Sequence, residues 1–519
     1  MNIIINNIKM PLEHTLDMVF EAAHSAARLH FIKADNPVIY RKSIDARRKK
    51  VSFVYSVQMR LLSAPDSIPE NGDIRILNEE NVTLRGNADI SSPLIVGSGP
   101  CGLFAAYVLA EAGYKPVIIE RGADVETRTK AVEQFFKTGI LNTSSNVQFG
   151  EGGAGTFSDG KLNTRIGDPL ERFILKTFVR FGADSSILTD AKPHIGTDVL
   201  KKVLVNMRKA IENAGGKYIF NSLVTDIIIK DNTVRGIVIN GRKELDCENI
   251  ILAIGHSSRD TYEMLYKKGF LMQQKAFAAG VRIEHKQSFI NELQYGKDWI
   301  KYNLPPAPYR IVYNGKERSC YSFCMCPGGY VVNASSEEGG LAVNGMSNFA
   351  RSGENANSAL VVNVKPEDFE NDSPLSGVEF QRKYERLAFK LAGGYKAPVQ
   401  LAADFVKGRI SKSLSEVAPS FTGETVYADL SKCLPEFISD TLIEALNNFE
   451  RKMKGFVSSG AVLTGIETRT SAPVRILRGE DGQALNIKGV YPAGEGAGYA
   501  GGIMSAAIDG IRTAKKLIG

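Results

Sequence analysis

Several short stretches of this chain place residues at spacings that chemistry can use. Gly97, Gly99 and Gly102 form G-x-G-x-x-G directly after the apolar "PLIV" at 93–96, and Glu120 closes the next apolar run, "KPVIIE". In such a turn the first glycine permits a tight bend, the second lets backbone approach a pyrophosphate, and the third seats a helix against its strand. The amino end of that helix favours an anion through its N–H groups and macrodipole, so the loop needs no lysine. An acid after the second strand can accept hydrogen bonds from ribose hydroxyls, which argues against a ribose 2′-phosphate. The stretch reads as a dinucleotide turn, with FAD and NAD both open.

Two further glycine clusters bear on that choice. "NVQFGEGGAGTFSDGKL", residues 146–162, has too much glycine for the interior of a helix or strand. Gly150, Gly152, Gly153 and Gly155 would let backbone pass close to a flat ring, with Thr156, Ser158 and Asp159 as polar contacts. A Walker loop is excluded, because Gly160 and Lys161 are followed by Leu162 and no strand precedes them. Near the other end, "VYPAGEGAGYAGGIMSAAIDG" gives a short strand, a loop with Gly494, Glu495 and Gly496, and a helix opening by Gly501 and Gly502. An acid there can bind ribityl hydroxyls, and the helix amino end can stabilise negative charge on the pyrimidine side of a reduced flavin.

Candidates for the chemistry itself are Cys324, Lys161 and Arg469. In "SCYSFCMC", residues 319–326, strand alternation would place Cys320, Ser322, Cys324 and Cys326 on one face, where a thiol of lowered pKa could act as acid or nucleophile. Lys161 and Arg469 could bind anions or stabilise charge. There is no C-x-x-C, which speaks against a redox-active disulfide, a disulfide framework or a zinc site. The six histidines show no liganding spacing, and no metal is expected.

These residues need elements to hold them. Strand, glycine turn, helix and strand over 93–120 make the first half of a parallel sheet. Val199, Leu200, Val203, Leu204, Met207 and Ile211 lie on one face of a following helix. A small meander comes next, with turns at Asp231-Asn232 and Asn240-Gly241, before "IILAIG" rejoins the sheet at Gly255. Four segments result: an N-terminal α+β domain over 1–88, a first FAD-binding part over 89–265, an inserted substrate or cap domain over 266–455, and a second FAD-binding part over 456–519. The fold class is α/β, a split Rossmann-type FAD-binding domain with an inserted α+β domain and a small N-terminal α+β domain.

A chain of 519 residues with 43% hydrophobic positions can bury several cores, and its net charge of +7 is modest for that size. No signal peptide pattern or spanning apolar run is found, so a cytoplasmic protein without a membrane span is expected. "RKSIDARRKK", residues 41–50, carries six basic residues against Asp45. A charge-protected edge strand explains it, and nucleic acid is a weaker alternative because no base-stacking aromatic pattern accompanies it.

Taken in order, "IVGSGPCGLFAAYVLAEAGY", "IIERG", "FGEGGAGTFSDGKL", "ILAIGHSSRD", "ETRTSAPVRI" and the C-terminal stretch resemble the FAD-dependent dehydrogenase family of bacterial flavoproteins, with an FAD domain of the glutathione reductase type. The resemblance implies non-covalent FAD. It places Gly97, Gly99, Pro100 and Gly102 at the pyrophosphate, Glu120 at the adenosine ribose and the backbone of Val224 at the adenine, with Ser98, Cys101 and Arg121 also among the cofactor-binding residues. Gly152, Gly153 and Thr156 would lie near the isoalloxazine, with Gly255 allowing close approach. Gly494, Glu495, Gly502 and Ile503 would hold the ribityl chain and pyrimidine edge. An FAD-dependent oxidoreductase, dehydrogenase or reductase, with an unknown small-molecule substrate and electron partner is the expectation. The alternatives are a flavin-dependent RNA-modifying enzyme, a non-catalytic FAD-binding protein, or an NAD-dependent dehydrogenase.

Overall fold

The computed structural model describes residues 1–47, 50–63, 72–77, 92–162, 167–413 and 416–519. The chain divides into two compact units, one of Met1–Val82, Lys161–Ile195 and Asn291–Ala307, the other of Thr83–Gly160, Gly196–Ile290 and Pro308–Gly519. Residues 161–195, expected with the nucleotide-binding part, thus group with the N-terminal residues. The expected boundary at 88 lies outside the described residues.

In the first unit, strands Ala34–Asp45, Ser52–Leu61, Asn2–Met10 and Ile74–Ile76 form an antiparallel sheet in that order. Helix Leu16–Leu29 buries Val19, Ala23 and Ala27, at four-residue spacing, against Ile3, Ile5, Val57 and Met59. The basic run follows the edge strand. Arg47 pairs with Asp45 at 2.9 Å and Lys42 lies 4.7 Å over the Phe53 ring, while residues 48 and 49 are outside the described set.

The second unit carries the sheet that matters for the site. Five parallel strands run in the order Val490–Pro492, Ile250–Leu252, Leu94–Val96, Val117–Ile119, Lys217–Ile219. Their residues are almost wholly apolar, as a sheet covered on both faces requires. The chain leaves this sheet for the meander Val224–Lys230, Thr233–Ile239, Lys243–Asp246, whose turns have positive φ at Asp231, Asn232 and Asn240. It leaves again for a seven-stranded sheet ordered Val312–Asn314, Ser319–Cys326, Asn355–Val364, Phe277–Lys286, Val462–Glu467, Ala397–Leu401, Thr425–Tyr427. A boundary at 455 would separate Val462–Glu467 from the Phe277–Lys286 strand with which it pairs.

The register of Ser319–Cys326 differs from simple alternation. Phe323 sits opposite Ala359, but Cys326 sits opposite Asn357, so the strand holds one extra residue between them. Such a bulge moves later side chains to the other face. Cys326 therefore shares its face with Tyr321 and Phe323, and Cys320 and Ser322 lie opposite. Cys324, inside the bulge, has φ +43°.

A fully buried histidine makes this fold sensitive to acid. One ring nitrogen of His285, Nε2, lies 2.7 Å from the Phe456 carbonyl, and Nδ1 has no partner among the described residues. Burial lowers its pKa from 6.5 to about 4. A depressed histidine supports the folded state above 6.5 and withdraws that support as pH falls through about 4. Thermal melts of the native protein should lose stability over that interval, and His285→Gln should flatten the acid limb.

Candidate functional site

The three glycine-rich stretches meet in the second unit. Gly97 turns with φ +102°, and a Cβ there would come within 2.3 Å of the carbonyl of Ala253, the residue just after the neighbouring strand. A Cβ on Gly153 would stand 3.0 Å from Gly99 Cα, so the first loop and the second touch backbone to backbone. From Gly494 a Cβ would reach 2.7 Å from Cys101 Cβ, and from Gly496 it would reach 2.6 Å from Gly255 N, which ties the C-terminal loop to the first helix and to Gly255. Gly155 faces Ile503 in the same way, at 3.2 Å.

Two helices present their amino ends here. Pro100–Glu111 begins after Gly99 and Ile503–Ile518 after Gly502, neither with a side-chain cap. Their first N–H groups have no intrahelical acceptor, which suits an anion. A Cβ on Gly501, Gly502 or Gly255 would meet nothing within 4 Å, and on Gly99 nothing nearer than 3.8 Å. Backbone is bare where a flat, phosphate-bearing molecule would lie. This cradle fits FAD.

Glu120 is buried at the end of Val117–Ile119. Its Oε2 accepts from the Ser98 N–H at 2.9 Å and the Ser98 hydroxyl at 2.7 Å, and its Oε1 from the N–H groups of Gly122 at 2.9 Å and Gly150 at 3.0 Å. Residues 219–222 run beside it through the Ser222 N–H to Glu120 carbonyl bond of 2.9 Å, leading into Val224. Arg121 lies 4.2 Å over the Phe149 ring and donates to Asp260 at 2.7 Å. Thr156 is buried and donates to the Glu151 carbonyl at 3.0 Å. Glu495 is half-buried, and desolvation raises its pKa to about 7.

The residues considered for catalysis stand in separate settings within their own units. Lys161 falls in the first unit, bridged by its backbone to His194. Arg469 is buried and neutralised: its Nε and Nη2 donate to the two Glu385 oxygens at 2.9 and 2.7 Å, while Arg259 grips the same carboxylate at 2.7 and 2.9 Å. These two guanidinium groups hold Glu385 well below the usual carboxylate range. Breaking a buried ionic cluster by removing one partner costs about 3–5 kcal/mol. Glu385→Gln should therefore lower the melting temperature sharply; an unchanged melt would show that the cluster does not hold the fold.

Sequence reasoning overlooked Arg128. This fully buried residue of helix Val125–Thr138 donates from Nε to the Asn146 carbonyl at 2.8 Å, from Nη1 to the Glu151 carbonyl at 2.7 Å and Thr156 Oγ1 at 3.2 Å, and from Nη2 to the Val147 carbonyl at 2.9 Å. It pins the second glycine loop from behind. The signal was present: Val125, Arg128, Val132 and Phe135 lie on the buried stripe of their helix, where a charge needs a reason. Arg282, Glu467 and Asn357 were overlooked too. Arg282 Nη1 donates to Glu467 at 2.6 Å, its Nε to Asn357 at 2.9 Å, and its Nη2 to the Cys324 carbonyl at 2.6 Å.

Comparison with known proteins agrees with the cradle. Residues 276–470 match the family described as "FAD-dependent protein, C-terminal domain-like", residues 91–138 an FAD binding domain, and residues 2–60 a domain of unknown function. Among solved structures, glycine oxidase from Bacillus cereus aligns at 11% identity over 83% of this chain and 97% of that one, with a TM-score of 0.36. A geranylgeranyl bacteriochlorophyll reductase-like protein from Thermoplasma acidophilum aligns at 13% over 82% and 79%, with a TM-score of 0.35. A protein of Clostridium beijerinckii described as uncharacterised is 50% identical over 529 aligned residues, covering 100% of this chain and 99% of that one. The cofactor is FAD, in a mixed α/β fold. No helix among the described residues is long and apolar enough to cross a membrane. The chain belongs to the family of FAD-dependent proteins that includes this clostridial relative.

Proposed function

We propose that the protein is an FAD-dependent oxidoreductase, a dehydrogenase or reductase, acting on a small molecule and exchanging electrons with a separate partner. The convergence of three glycine loops and two uncapped helix amino ends on one bare stretch of backbone carries this reading. Bound FAD supplies hydride or electron transfer at its ring. The chain's own residues bind, orient and balance charge. The loop of Gly97, Ser98, Gly99, Pro100, Cys101 and Gly102 takes the pyrophosphate on the first helix end. Glu120 takes the adenosine ribose, with Arg121 beside it and Val224 at the adenine.

The four acceptor sites of the Glu120 carboxylate are already filled, so a ribose hydroxyl takes the place of the Ser98 hydroxyl. Gly152, Gly153, Thr156 and Gly255 border the ring in this reading. Gly494, Glu495, Gly502 and Ile503 border the ribityl chain and pyrimidine edge, where the second helix end favours negative charge. With a pKa near 7, Glu495 can hold or release a proton at its carboxyl oxygen in the neutral range. Six thiols fit a reducing, cytoplasmic setting.

The absorption spectrum of the purified protein, followed by acid release and identification of the nucleotide, tests the reading. The expected result is a yellow protein that releases FAD and bleaches under an anaerobic reductant. A colourless protein that FAD cannot reconstitute, or one that retains NAD, overturns it. Flavin that no reductant or candidate substrate bleaches would leave a non-catalytic binding protein.

A further inference from the structure

One cluster near the cradle is given no role in the FAD reading above. Arg282, Glu467, Asn357 and Cys326 lie on one face of the seven-stranded sheet, since Arg282 pairs with Ala359, Asn357 with Cys326, and Glu467 with the Gly280 that also faces Val361. All four are buried. The hairpin of Tyr330–Asn333 and Val343–Met346 packs over them: a Cβ on Gly345 would fall 2.5 Å from Arg282 Nη2, and Asn344 Oδ1 accepts from Arg282 Nη1 at 3.2 Å.

The bulge brings the two thiols of the C-x-C into one environment. The thiol of Cys326 donates to the Cys324 carbonyl at 3.3 Å, and Arg282 Nη2 lies 2.6 Å from that carbonyl and 4.0 Å from Cys326 Sγ. The Asn357 Nδ2 donor is buried beside Cys326 with no partner among the described residues. A guanidinium 4.0 Å from the Cys326 sulfur favours its thiolate form once the S–H proton leaves. Left-handed backbone at a non-glycine residue inside a strand is costly, and it concentrates where geometry serves function.

Cys324 is the more exposed of the two thiols, and it interacts electrostatically with Glu467 and with Glu495 of the C-terminal loop. In an unbroken strand, residues two apart stand too far from each other for the Cβ separation of about 3.5–4.5 Å that a disulfide needs. Here the extra residue and the left-handed Cys324 depart from that unbroken geometry. The absence of C-x-x-C does not bear on a C-x-C joined in this way.

We propose that Cys324 and Cys326 are a redox-active thiol pair that exchanges two electrons with the FAD site, for a substrate that is itself a thiol or disulfide. This rests on the FAD reading above. On oxidation both S–H bonds break and one S–S bond forms. The two electrons and two protons released balance the two-electron reduction of the flavin, and Glu467, whose burial raises its pKa to about 7, carries one of the protons. In the other direction the pair is first returned to the dithiol by two electrons and two protons from the FAD site; Cys324 then attacks a substrate disulfide, one substrate thiol leaves with a proton, and Cys326 releases the second, with the other proton, by closing the S–S bond.

The test is an anaerobic dithionite titration of the FAD-loaded protein after mild oxidation with diamide. Wild type should take up about four electrons per flavin, two for the cofactor and two for the disulfide, whereas Cys324→Ser and Cys326→Ser should take up about two. Cys320→Ser, on the opposite face, should behave as wild type. Peptide mass analysis without reduction should find 324 and 326 joined in oxidised wild type. Two-electron uptake by flavin-loaded wild type, with both thiols still open to iodoacetamide after diamide, overturns the pair and leaves the FAD reading standing. Lack of bound flavin overturns the FAD reading instead.

Discussion

Gly99→Glu is expected to yield a folded protein that no longer retains flavin. The nearest atom to a Cβ at this position is Gly153 Cα at 3.8 Å, an ordinary contact, so the substituted backbone is expected to keep its fold. Its carboxylate then stands where the first helix directs its positive end, against the pyrophosphate. Juxtaposed like charges cost several kcal/mol, and each 1.4 kcal/mol is tenfold in affinity, so a loss of at least about a hundredfold is expected. Flavin content per chain and the melting temperature without added flavin measure the two halves of this outcome. Unchanged flavin content would show that the turn does not hold the cofactor.

Arg128→Leu has the larger structural effect. Arg128 satisfies carbonyls of Asn146, Val147 and Glu151 in a region without water access, and burial lowers its pKa only to about 10, so it is charged at neutral pH. Leucine fills part of the volume and leaves those acceptors dry. Each buried unsatisfied group costs about 1–3 kcal/mol, which together is a large fraction of the 5–15 kcal/mol that holds a typical domain. We expect a steep fall in melting temperature, with flavin lost even where the chain stays folded. Arg128→Lys keeps the charge but loses the planar fork, so it should fall between the two. If Arg128→Leu binds flavin normally, the loop at 146–157 does not depend on this clamp.

What could be read from the sequence and what could not divide by the range of the interaction. A glycine turn states its need locally: Gly97 takes positive φ and Gly102 allows no Cβ, and both demands are met within a few residues of a strand. The two later glycine loops were legible for the same reason, as were the Asp231-Asn232 and Asn240-Gly241 turns. The bulge at Cys324 was not, because it is defined by the pairing of Ser319–Cys326 with Asn355–Val364, and period-two reading carried Cys326 to the wrong face. Arg282 and Glu467 are likewise far apart in sequence and meet only through the order of the seven-stranded sheet. For Arg469, a charge that looked available is cancelled by Glu385 from a helix that no local pattern linked to it.

The parallel sheet also sets a timetable. Four of its strands, from Leu94–Val96 to Ile250–Leu252, are synthesised well before Val490–Pro492, and until then Ile250–Leu252 is an apolar edge without its outer neighbour. During that interval the ribosome makes all of the seven-stranded sheet. The second helix end and Glu495 arrive later still, so the nascent chain cannot grip the whole cofactor. Flavin loading thus becomes a checkpoint on completed synthesis, and chains cut short before Val490–Pro492 should keep an exposed edge that invites proteolysis or aggregation.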